Sequence, residues 1–166
     1  ITTIETSYEK INYTIWSQVF LCPYCNSEYI FWKEAVNKET EKVNDSYNCP
    51  CCKANITKKD SKVVIVEYYD SALNEYIETV KIVPVINDVT GVSRSKKEIN
   101  DYDLEILKKI EEMEIPFWYP TDRMPLGEES RRNDKYGLKY VHQFYFKRSL
   151  LILSALYHKL NSSCLK

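Results

Sequence analysis

The sequence predicts an α+β fold in which a zinc-ribbon lobe with β-hairpins is combined with two main helices. Three observations lead to this prediction: two C-x-x-C pairs, runs of β-branched and aromatic residues in the first half, and two apolar periodic segments in the second half. We expect residues 1–60 to form the zinc-ribbon lobe. Residues 61–166 are expected to hold a β-hairpin, a helix, an Arg-rich loop and a C-terminal helix, as one compact fragment of a larger protein.

The first elements lead into and out of two cysteine turns. Residues 11–21 predict a strand, residues 28–32 a returning strand, and the polar residues 33–46 a loop. The pair Cys22/Cys25 lies between the two predicted strands, and the pair Cys49/Cys52 follows the predicted loop. Two C-x-x-C turns at this separation are typical of a closed four-thiolate zinc site, which has a structural and not a catalytic role. The alternative is a set of surface disulfides or unconnected thiols.

Two further cysteines lack a partner by spacing. Cys51 lies inside the second turn and Cys164 lies near the C-terminus, and neither is expected to bind the metal. Paired cysteines without secretory features favour a cytoplasmic protein with zinc over a disulfide scaffold.

The middle of the chain predicts a second hairpin. Residues 62–69 and 76–85 are strand-like, with turn residues between them. Pro84 indicates that the second strand lies at a sheet edge or ends there. Residues 87–100 are polar and contain Gly91, which predicts a loop.

The second half predicts two helices separated by a long loop. Residues 101–114 have an apolar helical face and are followed by Pro116, which stops the helix. Residues 116–141 are rich in proline and charge and predict a long loop, either ordered or disordered. Residues 145–160 predict a final helix that is apolar around most of its circumference and therefore buried on more than one side.

Composition excludes several functional classes. The 166 residues carry a formal net charge of -1, so any contact with nucleic acid must come from a local basic patch. Only three glycines are present, and no phosphate-binding glycine motif occurs. The longest apolar run is too short to span a bilayer. The histidines His142 and His158 have no nucleophile at a telling spacing, so no catalytic residues are predicted.

A local basic patch does occur at residues 121–148, which we call the Arg-rich segment. It contains seven Lys or Arg against four acidic residues, with aromatic residues between them. Arginine can contact phosphates and base edges, and aromatic rings can stack on unpaired bases. The alternative is a solvated loop that its own ion pairs hold in shape.

Several stretches of the chain resemble a family of bacterial DNA methyltransferases, the S-adenosylmethionine-dependent adenine-N6/cytosine-N4 modification methylases. The resemblance is collinear, covers nearly the whole chain, and rests on the two cysteine turns and on four further stretches: residues 11–17 (INYTIWS), 115–124 (IPFWYPTDRM), 129–137 (ESRRNDKYG) and 141–148 (VHQFYFKR). Lys53 departs from the glycine that is usual in this family after the second turn, and Phe146 stands where threonine is common.

The resemblance implies an internal target-recognition segment of such an enzyme. Neither the glycine-rich cofactor motif nor the D-P-P-[FY] catalytic motif is present, so S-adenosylmethionine and catalysis are assigned to the rest of the parent enzyme. The implied partners are double-stranded DNA and the catalytic domain of the same chain. The implied DNA contacts are Arg123, Arg131, Arg132, Asn133, Lys135, Lys147 and Arg148.

Two alternatives to DNA recognition stay open. The chain could be a structural insert that braces the methyltransferase domain, or a zinc ribbon that binds another protein. A start at Ile1 and an end soon after an apolar helix favour a piece of a longer protein.

Overall fold

The computed structural model describes residues 9–164, without the side chain of Cys164, and has the mixed α+β architecture that the sequence predicts. The chain divides into two compact units. The first unit contains residues 9–65 and Val80–Asn100, and the second contains Val66–Thr79 and residues 101–164. Neither unit is one continuous stretch of sequence, because the chain leaves the first unit after residue 65 and returns to it at residue 80.

The first unit is built on an antiparallel sheet whose strands are β1 Lys10–Leu21, β2 Glu28–Ile30, β5 Lys62–Val63, β8 Ile82–Thr90 and β9 Arg94–Glu98. The strand order is β2–β1–β8–β9, and β5 also pairs with β1. The long strand β1 therefore has partners on both sides.

The prediction of a loop at residues 87–100 is wrong, because most of these residues belong to β8 and β9. The two strands form a hairpin in which Ile86 pairs with Glu98 and Thr90 with Arg94. Every residue of β9 is exposed and polar. Edge strands can be polar on both faces, and charged side chains on them discourage pairing with other chains. The hydrophobic alternation that identifies a half-buried strand is therefore missing from this one.

Pro84 lies within β8, so this strand does not end there, and it is an inner strand of the sheet. Pro84 pairs with Trp16 of β1 next to a register shift, and β9 pairs with β8 only from Ile86 onwards. A proline without an N–H donor is tolerated at such an irregular position.

A second layer of small elements contains the cysteine turns and the main core. The predicted returning strand 28–32 ends at Ile30, and the chain continues as a short helix, α1, at Phe31–Ala35. Ala35 of α1 is fully buried against the aromatic residues Phe20, Tyr29 and Tyr47. A two-stranded ladder pairs β3 (Tyr47–Asn48) with β4 (Asn55–Ile56) across the second cysteine turn.

The second unit consists of a β-hairpin, three α-helices and a short 3-10 helix. The bounds are β6 Ile65–Asp70, β7 Glu75–Val80, α2 Asp101–Glu112, α3 Glu128–Asp134, the 3-10 helix Val141–Phe144 and α4 Lys147–Cys164. Helix α3 lies within the predicted long loop, and α2 ends two residues earlier than predicted.

The final helix α4 is less buried than its sequence predicts. Within the described residues, only Leu150 and Ser154 of α4 are buried, while Ile152, Leu156 and Leu160 are exposed. None of the helices between residues 9 and 164 combines the length and the apolar character needed to cross a membrane.

Candidate metal centre and Arg-rich segment

The two cysteine turns have the same backbone geometry. In the first, the N–H of Asn26 donates to the carbonyl of Cys22 at 3.0 Å, and the N–H of Cys22 donates to the carbonyl of Ser27. In the second, the N–H of Lys53 donates to the carbonyl of Cys49 at 3.0 Å, and the N–H of Cys49 donates to the carbonyl of residue 54. Each turn thus aims two sulfur atoms in one direction.

These turns bring the four predicted ligands Cys22, Cys25, Cys49 and Cys52 into one cluster whose sulfur atoms all lie within 4.8 Å of one another. The Sγ atoms of Cys22 and Cys52 are 3.7 Å apart, and so are those of Cys25 and Cys49. A disulfide requires about 2.05 Å, so these contacts are not covalent bonds. Four thiols are therefore available to one ion.

The cluster has the dimensions of a tetrahedral metal site. Metal–sulfur bonds of about 2.3 Å in a tetrahedron place the sulfur atoms about 3.8 Å apart. Cys22 and Cys49 are fully buried, whereas Cys25 and Cys52 lie nearer the surface. The cluster can therefore hold a metal ion, and all four ligands agree with the sequence prediction.

Two of the clustered thiols, those of Cys25 and Cys52, have pKa values that are shifted in opposite directions. The Ser27 hydroxyl, 2.9 Å from Cys25 Sγ, lowers the pKa of Cys25 to about 6. The N–H of Ala54 lowers the pKa of Cys52, but burial and the neighbouring thiols outweigh it and raise that pKa to about 12. A bound cation would remove this conflict by stabilising all four thiolates.

The remaining cysteines were predicted to stay outside the cluster. The structure places Cys51 at the surface, exposed and apart from the four clustered thiols, as predicted. The side chain of Cys164 lies outside the described residues, so the prediction for it stays a prediction.

Backbone hydrogen bonds close most of the Arg-rich segment into a loop. Arg123 and Tyr140 form an antiparallel bridge. The N–H of Met124 donates to the carbonyl of Lys139 at 2.8 Å, and the N–H of Val141 donates to the carbonyl of Asp122 at 2.9 Å. Residues 122–141 therefore form a closed loop that carries α3 between its paired ends.

A buried pair of side chains attaches this loop to the β6–β7 hairpin. His142 Nε2 lies 2.7 Å from Asp70 Oδ2, and both side chains are more than nine-tenths buried. Gln143 Nε2 donates to the same oxygen at 3.3 Å. The other oxygen of Asp70 accepts the N–H groups of Ala72 and Leu73 and so shapes the hairpin turn. One carboxylate thus connects two parts of the unit.

Sequence reasoning misses this pair because its members are far apart. The sequence identifies Asp70 only as a turn residue, and His142 as a histidine without a nucleophile. No local spacing links residues that are 72 positions apart. His142 Nδ1 is buried and has no hydrogen-bond partner in the described part of the chain. The contacts of the pair join the segment that follows α3 to the turn of the β6–β7 hairpin, which is the arrangement of an anchor.

A second attachment lies at the C-terminal end of α3. The carbonyl of Tyr136 accepts a hydrogen bond from the Thr79 hydroxyl at 3.0 Å. Gly137 follows with φ +79°, and a Cβ built there would lie 2.0 Å from the carbonyl oxygen of Glu78. Only glycine allows the loop to approach β7 this closely.

The predicted DNA contacts differ in how free their side chains are. Arg123, Arg131 and Arg148 are exposed, and no carboxylate among residues 9–164 lies within salt-bridge distance of them. Arg132 makes an exposed ion pair with Glu129 at 3.0 Å. Lys135 is exposed, with its ammonium 4.9 Å from the centre of the Tyr136 ring.

Two other predicted contacts are occupied within the unit. Asn133 Nδ2 donates to the carbonyl of Glu129 at 3.2 Å, one turn earlier in α3. Lys147 Nζ donates to the carbonyl of Glu111 at 2.5 Å, near the end of α2. Both side chains therefore stabilise local structure in this conformation.

Comparisons with protein-family models, with curated proteins and with solved structures found no match to this chain.

Proposed function

We propose that the four-cysteine cluster binds zinc in a structural role. Four sulfur ligands in tetrahedral spacing suit zinc, and a site filled by four protein ligands leaves no position for a substrate or a reacting water. The core around the cluster is small and aromatic, so binding of the ion would contribute to folding of the first unit.

We further infer that the Arg-rich segment recognises DNA. The observation that carries this inference is the pair of exposed guanidinium groups, Arg123 and Arg131, without a carboxylate partner among the described residues, on a loop whose backbone is attached at several points. A fixed loop with unpaired cations is ready to contact phosphates with little loss of conformational entropy.

We place the segment in a DNA methyltransferase of the adenine-N6/cytosine-N4 type, on the basis of the stretches that resemble that family. The chain itself would then hold the duplex, and S-adenosylmethionine and the methyl transfer would belong to the parent enzyme. The partners in this proposal are double-stranded DNA and the catalytic domain of the same chain.

A structural insert is the second candidate, and one specific observation favours it. Lys147 and Asn133, two of the seven candidate contacts, are bonded to backbone carbonyls of the same unit. A loop with a purely structural role is expected to be held in shape by its own ion pairs. Among the described residues 121–148, Arg132–Glu129 is the only salt bridge that joins two members of the segment, so DNA recognition is preferred.

The experiment is a fluorescence-anisotropy titration of a labelled duplex with the whole chain at low salt. The variant Arg131→Ala/Arg132→Ala should weaken binding by about tenfold or more, because each phosphate contact contributes to affinity. The matched control is Lys108→Ala/Lys109→Ala on the exposed face of α2, which removes the same charge and should change the affinity by less than about twofold. Absence of binding at low salt, or an equal effect of both variants, would contradict DNA recognition.

A further inference from the structure

The first unit contains a cavity of about 420 Å³ between α1, the loop that follows it, and the β8–β9 hairpin. This volume lies within the range of about 300–1,000 Å³ that is typical of sites for small ligands. Trp32, Val85 and Ile86 supply its apolar surface. The cavity belongs to neither the cysteine cluster nor the Arg-rich segment.

The polar lining of the cavity is mainly cationic. Two carboxylates, Glu41 and Glu98, stand against four lysines: Lys33, Lys38, Lys96 and Lys97. In a chain with a formal net charge of -1, this is a concentration of positive charge at one concave place. Such a surface attracts anions.

The ion pairs at the rim are of a kind that an anionic ligand can replace. Lys38 pairs with Glu98 at 3.1 Å with both side chains about three-quarters exposed. Lys96 pairs with Glu41 and Lys97 pairs with Glu9, and both lysines are partly exposed. Exposed pairs of this kind contribute little to stability. No carboxylate of residues 9–164 lies within salt-bridge distance of Lys33.

The backbone on both rims of the cavity is attached by hydrogen bonds. The backbone N–H of Trp32 donates to the hydroxyl of the buried Ser17 at 2.9 Å, which attaches α1 to β1. On the opposite rim, Asn37 Oδ1 accepts the N–H groups of Glu39 and Thr40 at 2.9 Å and fixes the turn that carries Lys38. An indole ring beside lysines is the combination that binds a base by stacking and its phosphate by charge.

We propose that this cavity binds a nucleotide unit, with the base against Trp32 and the phosphate among Lys33, Lys96 and Lys97. The same chemistry occurs in a free nucleotide and in one unit of a single strand. This inference does not depend on DNA recognition by the Arg-rich segment, which uses residues of the other unit.

The test is isothermal titration calorimetry of the whole chain with ATP, with the oligonucleotide dT4 and with inorganic pyrophosphate, together with tryptophan fluorescence. We expect saturable binding of ATP or dT4 and quenching of Trp32. The variant Lys33→Glu should weaken this binding by about tenfold or more, whereas Lys59→Glu, an exposed residue of the same unit outside the cavity, should change it by less than about twofold. Trp32→Leu should abolish the quenching and weaken nucleotide binding more than pyrophosphate binding.

The ligands also separate the two sources of the nucleotide. Binding of dT4 about tenfold tighter than ATP supports a strand as the ligand, and binding of ATP at least as tight supports a free nucleotide. No saturable binding of either ligand up to about 5 mM would overturn the proposal. Pyrophosphate binding as tight as ATP binding, or equal effects of Lys33→Glu and Lys59→Glu, would overturn it as well. Arg131→Ala/Arg132→Ala should leave ATP binding unchanged, which separates this site from the proposed DNA interface.

Discussion

At the scale of single residues, each cysteine turn requires a left-handed backbone conformation at the residue that follows the second cysteine of its C-x-x-C pair. Asn26 and Lys53 hold these positions with φ of 58° and 60°. Asparagine tolerates this left-handed conformation better than lysine. In the methyltransferase family that the chain resembles, glycine is usual at the position of Lys53. Lys53 Nζ donates to the carbonyl of Pro50 at 2.9 Å, which provides a stabilising contact across the turn. The departure at Lys53 therefore leaves the turn geometry intact.

The ligand assignment is tested by replacing two neighbouring cysteines separately. Cys49→Ser should remove bound metal and destabilise the first unit by about 3 kcal/mol or more, because a buried ligand is lost and the ion contributes to folding. Metal content per chain and thermal unfolding followed by circular dichroism measure both effects.

Cys51→Ser is the matched control, since it changes the same atom two residues away at an exposed position. It should leave metal content at one ion per chain and unfolding within about 0.5 kcal/mol of the original protein. Equal metal content in both variants would refute the four-cysteine site.

Asp70 gives the second unit a defined dependence on acid. Burial raises the pKa of Asp70, but hydrogen bonds from His142 and Gln143 outweigh it and hold the pKa below its ordinary value. A carboxyl whose pKa is lower in the folded state stabilises that state above the unfolded pKa of about 3.9. This contribution is lost as the pH falls through the lower, folded pKa.

Asp70→Asn should therefore destabilise the second unit by about 3 kcal/mol at pH 7, because it removes one member of a buried charge-assisted pair. It should also flatten the dependence of stability on pH below about pH 4. Urea unfolding at a series of pH values, followed by near-ultraviolet circular dichroism, measures both. An unchanged pH dependence in the variant would show that Asp70 is not the responsible group.

At the scale of elements, the sequence predicts those that carry a regular apolar pattern. Strand β1 and helices α2 and α4 are found close to their predicted places. The predicted hairpin of residues 62–69 and 76–85 is found only in part, because residues 62–63 form β5 and residues 82–85 belong to β8. Strand β9 escapes prediction because its five exposed polar residues form an edge, where pairing depends on a neighbouring strand and not on a buried face. Helix α3 escapes prediction because it has seven polar residues and buries none of them.

Gly137 tests whether the Arg-rich segment is attached to β7 as the structure indicates. Gly137→Ala should destabilise the second unit by about 2–4 kcal/mol, because it combines a left-handed backbone with a clash against a backbone carbonyl. Chemical unfolding gives the free-energy difference.

Gly127→Ala is the matched control at the other end of α3. Gly127 has an extended φ of 177°, and nothing lies within 4 Å of a Cβ built there. We expect a change of about 0.5 kcal/mol or less. A similar effect of the two variants would mean that the close approach at Gly137 does not exist in solution.

At the scale of the whole molecule, local chemistry was more predictable than long-range attachment. The four cysteines that could hold a metal ion follow from spacing, and the basic character of residues 121–148 follows from composition. The anchors of that segment do not, because Asp70 with His142 and Thr79 with Tyr136 join residues 72 and 57 positions apart. The sequence alone does not decide whether this loop is ordered or disordered. In the structure these anchors attach it to the β6–β7 hairpin, with its arginines exposed.

The central claim, that these arginines contact DNA phosphates, is tested most directly by the salt dependence of duplex binding. The slope of log K against log salt is negative, and it becomes less steep by about 0.9 for each phosphate contact that is lost. We predict that Arg131→Ala/Arg132→Ala makes this slope less steep by about 2, and that Lys108→Ala/Lys109→Ala leaves it unchanged. A slope that is the same in the original protein and in the Arg131→Ala/Arg132→Ala variant would contradict the proposed interface.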